Sequence, residues 1–267
     1  MYDPKKLKEM SLEALIMFDR FCKENGLEYA ISFGTELGAV RHGGFIPWDD
    51  DLDVDMPIKD YLRFKKAWKK RGNPDYFLQT KENELYKPVL FYQLRKNGTT
   101  WIDPGCEDVP MHYGIAIIDI FPVYHAPMHS IFRRLQQKFY SKADAQCRYQ
   151  WNHRGKNRVV LNFHRILSLG YLNAVWVISA LSRGSKRAFY PDGNPWRHVI
   201  DADFMFPAKP EKFEGAELMG HNNPDAYLTH QYGDYMTPPP ENERGGHAIG
   251  IIDLEKDYKE YQKIRRT

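Results

Sequence analysis

The chain has 267 residues and 31.4 kDa, room for one large domain or a core with a substantial insertion. Its 42% hydrophobic, 14% aromatic and 27% charged residues exclude a disordered chain, and three widely spaced cysteines (Cys22, Cys106, Cys147) exclude a disulfide framework or zinc knuckle. The net charge is +3, the first residues carry no apolar signal-peptide core, and the longest apolar stretch, Ile166 to Leu181, falls short of the roughly 20 residues that span a bilayer. The expectation is a soluble, cytoplasmic protein.

Leu7, Met10, Ala14, Leu15, Phe18, Phe21 and Cys22 recur at helical spacing, and Asn25-Gly26 predicts the end of that helix. A strand is predicted over Tyr29 to Phe33, then a small helix from Gly34-Thr35 to about Arg41, stopped by Gly43-Gly44. Leu52 to Met56 alternates apolar and acidic residues, as a strand with one unusual face does. Pro57 opens a helix carrying Tyr61, Phe64 and Trp68. Phe77-Leu78, Val89 to Leu94 and Thr99 to Ile102 read as strands, the last two as a hairpin around Asn97-Gly98. Ile115 to Phe121 is a further strand, ended by Pro122. Ser130 to about Arg183 is helical, basic and aromatic. Beyond it the pattern predicts a strand at Phe204 to Phe206, a helix at Asp225 to Gln231, a proline run at 238–240 and a last helix from about Leu254. The reading is an α+β fold with a catalytic core over 1–126, a helical insertion over 127–190, and a C-terminal part over 191–267 that completes the core.

The small net charge conceals an asymmetry. Between Ile131 and Tyr190 there are twelve Lys and Arg against the single acid Asp144, so this segment is +11 and the remainder −8. The insertion has no signature of a nucleic-acid-binding fold. It reads either as a solvated helical face or as a surface for an anionic membrane, with Leu172, Val175, Trp176 and Ile178 among its apolar residues, and the membrane is favoured. The acids cluster in turn: Asp49, Asp50, Asp51, Asp53 and Asp55 fall within seven positions. Most acid runs are solvated loops. Here the interleaved Leu52, Val54 and Met56 argue for a half-buried strand, on which Asp51, Asp53 and Asp55 project together and need a cation. An EF-hand is excluded, since Met56 and Leu62 stand where its Gly and Glu belong.

Asp119, alone in the apolar run Ile115 to Phe121, is the candidate third carboxylate, because an isolated acid there must pair or bind metal. Gly34-Thr35 at the start of a helix can cradle a phosphate with free backbone N–H groups. The order strand, Gly-Thr, helix, acidic strand is the site layout of the nucleotidyltransferase fold, in which metal held by Asp-x-Asp bridges a nucleotide's phosphates. Arg41, His42 and Arg95 are candidates to contact those phosphates.

The run from Gly34-Thr35 through Leu37-Gly38-Ala39-Val40-Arg41-His42 and Gly44-Phe45-Ile46-Pro47-Trp48-Asp49-Asp50-Asp51 to Asp53 resembles the signature of the LicD family of phosphotransferases, relatives of fukutin. Ile118-Asp119-Ile120-Phe121-Pro122, Lys212-Phe213-Glu214-Gly215 and Tyr232-Gly233-Asp234-Tyr235-Met236 extend the resemblance to nearly the whole chain. It implies a mixed-sheet, nucleotidyltransferase-like core and a metal-dependent enzyme that moves a substituted phosphate from a CDP-activated donor to a sugar hydroxyl. For bacterial members the implied donor is CDP-choline and the acceptor a teichoic acid or another lipid-linked surface glycan. CDP-ribitol and CDP-glycerol stay open as donors, as does a non-catalytic relative of the same fold, although intact Asp51, Asp53 and Asp119 speak against the last.

By the same resemblance Asp51 and Asp53 ligate Mg²⁺ or Mn²⁺, Asp119 is the further acid, and Asp55 is an additional candidate ligand. Trp48, Tyr232, Asp234, Tyr235, Arg244 and His247 are expected to contact substrate. Fukutin-like relatives have an N-terminal membrane anchor that this sequence lacks, which implies a cytoplasmic enzyme working peripherally at the inner membrane face.

Overall fold

In the computed structural model, which describes residues 3–190, 199–245 and 250–262, the first predicted helix is α1, Pro4–Asn25. The Asp3 side chain accepts from the Lys5 N–H, Pro4 occupies the first turn, and Gly26 closes the helix in the left-handed region at φ 57°. There follow β1 (Ala30–Ile31), α2 (Phe33–His42), β2 (Asp53–Pro57), α3 (Ile58–Arg71), β3 (Tyr76–Gln79), β4 (Tyr92–Lys96), β5 (Thr100–Ile102) and β6 (Ala116–His125). The helical pair α4 (Ser130–Asn152) and α5 (Arg158–Leu181) leads to β7 (Arg187–Phe189), β8 (Val199–Asp201) and the single turn α6 (Ala202–Met205). The chain ends with β9 (Lys209–Phe213), β10 (Ala216–Gly220), α7 (Pro224–Tyr232), β11 (Ile251–Asp253) and a 3₁₀ turn at Tyr258–Glu260.

Five strands lie in the order β1-β2-β6-β4-β3, and β7 with β8 extends from the far end of β6. β2 runs parallel to β6 while β1, β3 and β4 pair antiparallel, so the sheet is mixed and flanked by helices, as the sequence led us to expect. Phe18, Phe64, Val54, Leu94 and Ile118 are fully buried in the main core, which α1 and α3 close on one side of the sheet. Asp53 pairs in register with Asp119, and Asp119 with Gln93, so three polar side chains from adjacent strands stand in one row. This row positions the site.

Four expectations need correction. β4 and β5 do not pair, although Asn97-Gly98 does turn, with Gly98 at φ 73°. β4 is already flanked by β3 and β6 and has no open edge, so β5 pairs with β11 instead. Pro122 does not end β6. It falls between Ile120, the last residue paired with β4, and Tyr124, the first paired with β7, where no neighbour requires its N–H. Phe204 to Phe206 is not a strand, since Ala202–Met205 forms a helical turn closed by the Phe206 N–H on Ala202 O; a short apolar run does not separate the two states. No helix starts at Leu254, because Asp253 Oδ1 accepts from the N–H groups of Glu255 and Lys256 and holds a turn.

The insertion is an antiparallel helix pair. Its serines explain why the apolar stretch of α5 is interrupted: Ser168 Oγ donates to Ala143 O in α4, and Ser179 Oγ accepts from the His125 N–H. Gln136 Nε2 donates to His125 O and Val175 O, tying the pair to β6. Among the described residues no helix is long and apolar enough to cross a membrane.

Candidate active site

The acids gather where β2 and β6 begin. Asp53 and Asp119 are register partners, and the Asp119 N–H donates to Leu52 O at 2.8 Å, fixing the loop before β2 against β6. In that loop one carboxylate oxygen from each of Asp49, Asp50 and Asp51 lies within 4.8 Å of the others. Asp49, Asp51, Asp53 and Asp119 line a cleft of about 450 Å³ together with Gly34 and Tyr232. Burial, then the neighbouring charges of Asp51, Asp119, Asp49 and Asp55, hold the Asp53 carboxyl well above the usual carboxylate range. Asp49 and Asp50 belong to the sequence's acid run, but strand alternation starting from Asp51 left them out of the ligand set.

The amino end of α2 faces these acids. Its first N–H groups have no acceptor within the helix, so the Gly34 and Thr35 amides suit an anion. Gly34 lets Asp49 approach: a Cβ there would lie 2.5 Å from Asp49 Oδ2, and the carboxylate would have to shift. The preceding Phe33 holds φ 45°, a strained conformation for a bulky residue, at the corner that points α2 toward the acids. The Thr35 side chain has a task of its own beside the phosphate contact expected of its backbone amide. Its Oγ1 accepts from the Asp53 N–H at 2.8 Å, so Thr35 fixes the acid-bearing strand.

On the other flank Gln93 is the hub. Its Nε2 donates to Asp119 Oδ1 at 2.9 Å, and its Oε1 accepts from Lys87 Nζ at 2.6 Å and from the Arg95 guanidinium at 3.1 Å. Arg95 also donates to Gln79 Oε1 and Gly114 O, and burial pushes its pKa down. Lys87 is fully buried, and burial, with Arg95 nearby, lowers its pKa well below the usual range. Arg95, a candidate phosphate contact, is engaged by Gln79, Gly114 and Gln93, with Gln93 between it and Asp119. No spacing rule marks Gln93; only the register of β4 against β6 does.

Asp55 departs from its expected role. It does not line the cleft, and its Oδ2 lies 3.2 Å from Nε2 of His221, whose Nδ1 is 2.5 Å from Glu36 Oε2. All three side chains are buried, and His221 packs on the Tyr227 ring at 3.9 Å. Burial would lower the His221 pKa, but Glu36 and Asp55 outweigh it and raise it to about 9, so this is an imidazolium between two carboxylates. It joins α2, β2 and the C-terminal segment directly behind the acid row. Glu36 looks in sequence like an ordinary helix acid and His221 sits in no pattern, so neither is legible without the fold.

Arg41, His42, Trp48 and Arg244 form a separate group, and none of them lines the cleft. Arg41 NH1 donates to Tyr235 O at 2.7 Å, and the Arg244 guanidinium lies 4.8 Å over the Trp48 ring. Burial, then the charge of Arg244, lowers the Arg41 pKa, so two cations sit close enough to want an anion. His42 meets Trp48 edge-on and is lowered by burial and Arg41. Tyr232 reaches the cleft; Asp234 instead accepts from Thr237 Oγ1, and Tyr235 Oη donates to Asp225. His247 lies outside the described residues. The Lys212 to Gly215 motif is a hairpin turn whose Glu214 accepts from the Phe45 N–H at 3.0 Å. A Cβ on Gly44 would overlap Glu214 Oε1, which brings two distant parts of the motif together.

An all-oxygen donor set with a carboxyl strained by like charges fits a hard divalent cation, and the amides at the amino end of α2 fit phosphate. Residues 26–164 match the family model "LicD/FKTN/FKRP, nucleotidyltransferase domain". The chain is 28% identical to the lipopolysaccharide cholinephosphotransferase LicD of Haemophilus influenzae, over 91% of this chain and 96% of that protein. It is 30% identical to the mouse ribitol 5-phosphate transferase FKRP over 43% of this chain and 28% of that protein. A yeast protein, mannosyltransferase regulator 4, is 31% identical over 34% of this chain and 8% of its own length.

Proposed function

Because this chain belongs to the LicD/FKTN/FKRP nucleotidyltransferase family, we propose that it transfers phosphocholine from CDP-choline to a sugar hydroxyl of a lipid-linked surface-glycan precursor, a teichoic acid or a relative of one, and releases CMP. It is a phosphotransferase, and the transfer of a phosphate-bearing head group is the common ground of its relatives. The observation that carries the reading is the in-register pair Asp53 and Asp119 beside the amino end of α2, with Asp49, Asp50 and Asp51 in the adjoining loop. The near end-to-end similarity to a cholinephosphotransferase favours choline over ribitol or glycerol.

Asp51 and Asp53, with Asp49 and Asp50 beside them, would hold Mg²⁺ or Mn²⁺, which when bound neutralises diphosphate oxygens. The Gly34 and Thr35 amides receive a phosphate oxygen. The acceptor hydroxyl's oxygen bonds to the phosphorus of phosphocholine, the bond from that phosphorus to the CMP oxygen breaks, and Asp119 takes the hydroxyl proton. Gln93 holds Asp119 in the orientation this needs. The Thr35 side chain and the Glu36–His221–Asp55 group keep Asp53 in place.

A lipid-linked acceptor is matched by the insertion. Of the apolar residues expected to face a membrane, Val175 is fully buried and Leu172 packs on the core, whereas Trp176 is exposed, as are Ile131 and Phe132 on α4 and Phe163, Ile166, Val177 and Leu181 on α5, on a segment of charge +11. That combination suits peripheral contact with an anionic bilayer.

The test is CMP release from CDP-choline, CDP-ribitol and CDP-glycerol in the presence of glycan-bearing membranes and Mg²⁺. Turnover with CDP-choline that disappears with chelator and in Asp53→Asn supports the reading; turnover surviving in Asp53→Asn overturns it. A preference for CDP-ribitol or CDP-glycerol would keep the chemistry and replace the donor. Flotation with anionic and neutral vesicles tests the membrane surface, and equal recovery with both would remove it.

A further inference from the structure

A second cavity, of about 170 Å³, adjoins the acid row on the side away from α2. It shares Asp51 and Asp119 with the main cleft, so a group seated there is next to the reacting phosphate. Its other walls combine aromatic rings and acids with Pro88, Met111 and Ala116. Trp101, Tyr113 and Trp151 supply aromatic surface, and Asp50 and Asp103 add negative charge, against one cation, Arg95, already engaged by Gln79, Gly114 and Gln93. The three aromatics come from different parts of the fold: Trp101 from β5, Tyr113 from the loop before β6, and Trp151 from the end of α4.

Two features indicate that the cavity is built for a ligand. The Tyr113 hydroxyl is buried without a hydrogen-bond partner among the described residues, an arrangement that costs free energy unless something in the cavity accepts from it. Trp101 and Trp151 are each held in place, the first by its N–H on Tyr113 O at 2.7 Å and by pairing with Ile252, the second by the Arg154 guanidinium 4.8 Å from its ring. Aromatic faces combined with carboxylates attract a soft, poorly hydrated cation more than they attract a neutral polyol. The volume is close to that of a cavity that admits benzene, about 150 Å³, and so accommodates three methyl groups on nitrogen.

We propose that this cavity receives the quaternary ammonium head of the donor, with Trp101 and Trp151 against the cation and the Tyr113 hydroxyl donating to an oxygen of the attached phosphate. The proposal rests on the phosphotransferase reading and adds to it the residues that select the head group. It also gives the insertion a role in the site, because Trp151 is the only wall residue named here that α4 provides.

The experiment is calorimetry on the full chain with Mg²⁺, comparing phosphocholine with glycerol 1-phosphate, which has the phosphate but a neutral head. The wild type is expected to prefer phosphocholine by at least about tenfold, and Trp151→Ala and Trp101→Ala to lose most of that preference. Trp101→Phe and Trp151→Phe are expected to keep it, and thermal melting of each variant confirms that it is folded. Equal affinity for the two compounds in the wild type, or a preference surviving in both alanine variants, overturns the assignment. Phosphocholine selectivity without CMP release from any CDP donor would leave this cavity assigned and refute the transfer reading, so the two claims fail separately.

Discussion

Replacing His221 by glutamine tests the buried charge group on which the acid-bearing strand rests. His221 is fully buried between Glu36 at 2.5 Å and Asp55 at 3.2 Å, with the tilted Tyr227 ring 3.9 Å from its own. Its pKa rises from an ordinary 6.5 to about 9 on folding, because the two carboxylates overcome the effect of burial. A raised histidine pKa means the folded state binds the proton more tightly, so its stabilisation is complete below pH 6.5 and is lost as the pH climbs through 9. At about 1.4 kcal/mol per pH unit the window is worth about 3 kcal/mol. In His221→Gln two buried carboxylates lose the cation between them, which costs about 3–5 kcal/mol near pH 6. Urea unfolding of both proteins from pH 6 to 9.5 gives the comparison. The stability difference should be largest at pH 6 and narrow steadily toward pH 9.5. Parallel curves would show that His221 carries no extra proton in the folded state and would refute the argument.

Other substitutions follow from single contacts. Thr35→Val removes the acceptor of the Asp53 N–H and should reduce stability by about 1 kcal/mol and CMP release by more than the melting change explains, while Thr35→Ser should retain both. Gly44→Ala forces Glu214 off the Phe45 N–H and should cost about 1–3 kcal/mol, read by thermal melting. Asp53→Asn removes one of several crowded negative charges. Without divalent metal it should melt above the wild type, and added Mg²⁺ should raise the melting temperature of the wild type alone.

The sequence made the site visible because its chemistry is local. Gly34 to Asp53 is one continuous run, and the pattern of Leu52, Val54 and Met56 predicted a strand that the structure has at Asp53–Pro57, although Asp51 stays in the loop before it. Asp119 stood out as an acid among apolar neighbours. What could not be read depends on which strands meet. Gln93 joins Asp119 through the register of β4 with β6, and the Asn97-Gly98 turn was misleading because β4 had two other partners. Asp55 obeys the same alternation as Asp53, yet His221, 166 positions along the chain, takes its carboxylate. Thr35 likewise matched a phosphate motif while its hydroxyl serves the backbone of Asp53. The helix expected at Leu254 yielded to a side chain, Asp253, that caps a turn.

The most direct test of the acid row as a metal-and-diphosphate site is calorimetry of CDP-choline on the full chain, with Mg²⁺ and with chelator. The account predicts binding in Mg²⁺ that weakens at least about tenfold in chelator and is equally weak in Asp53→Asn under both conditions. The same affinity for CDP-choline with and without Mg²⁺, unchanged in Asp53→Asn, would contradict it.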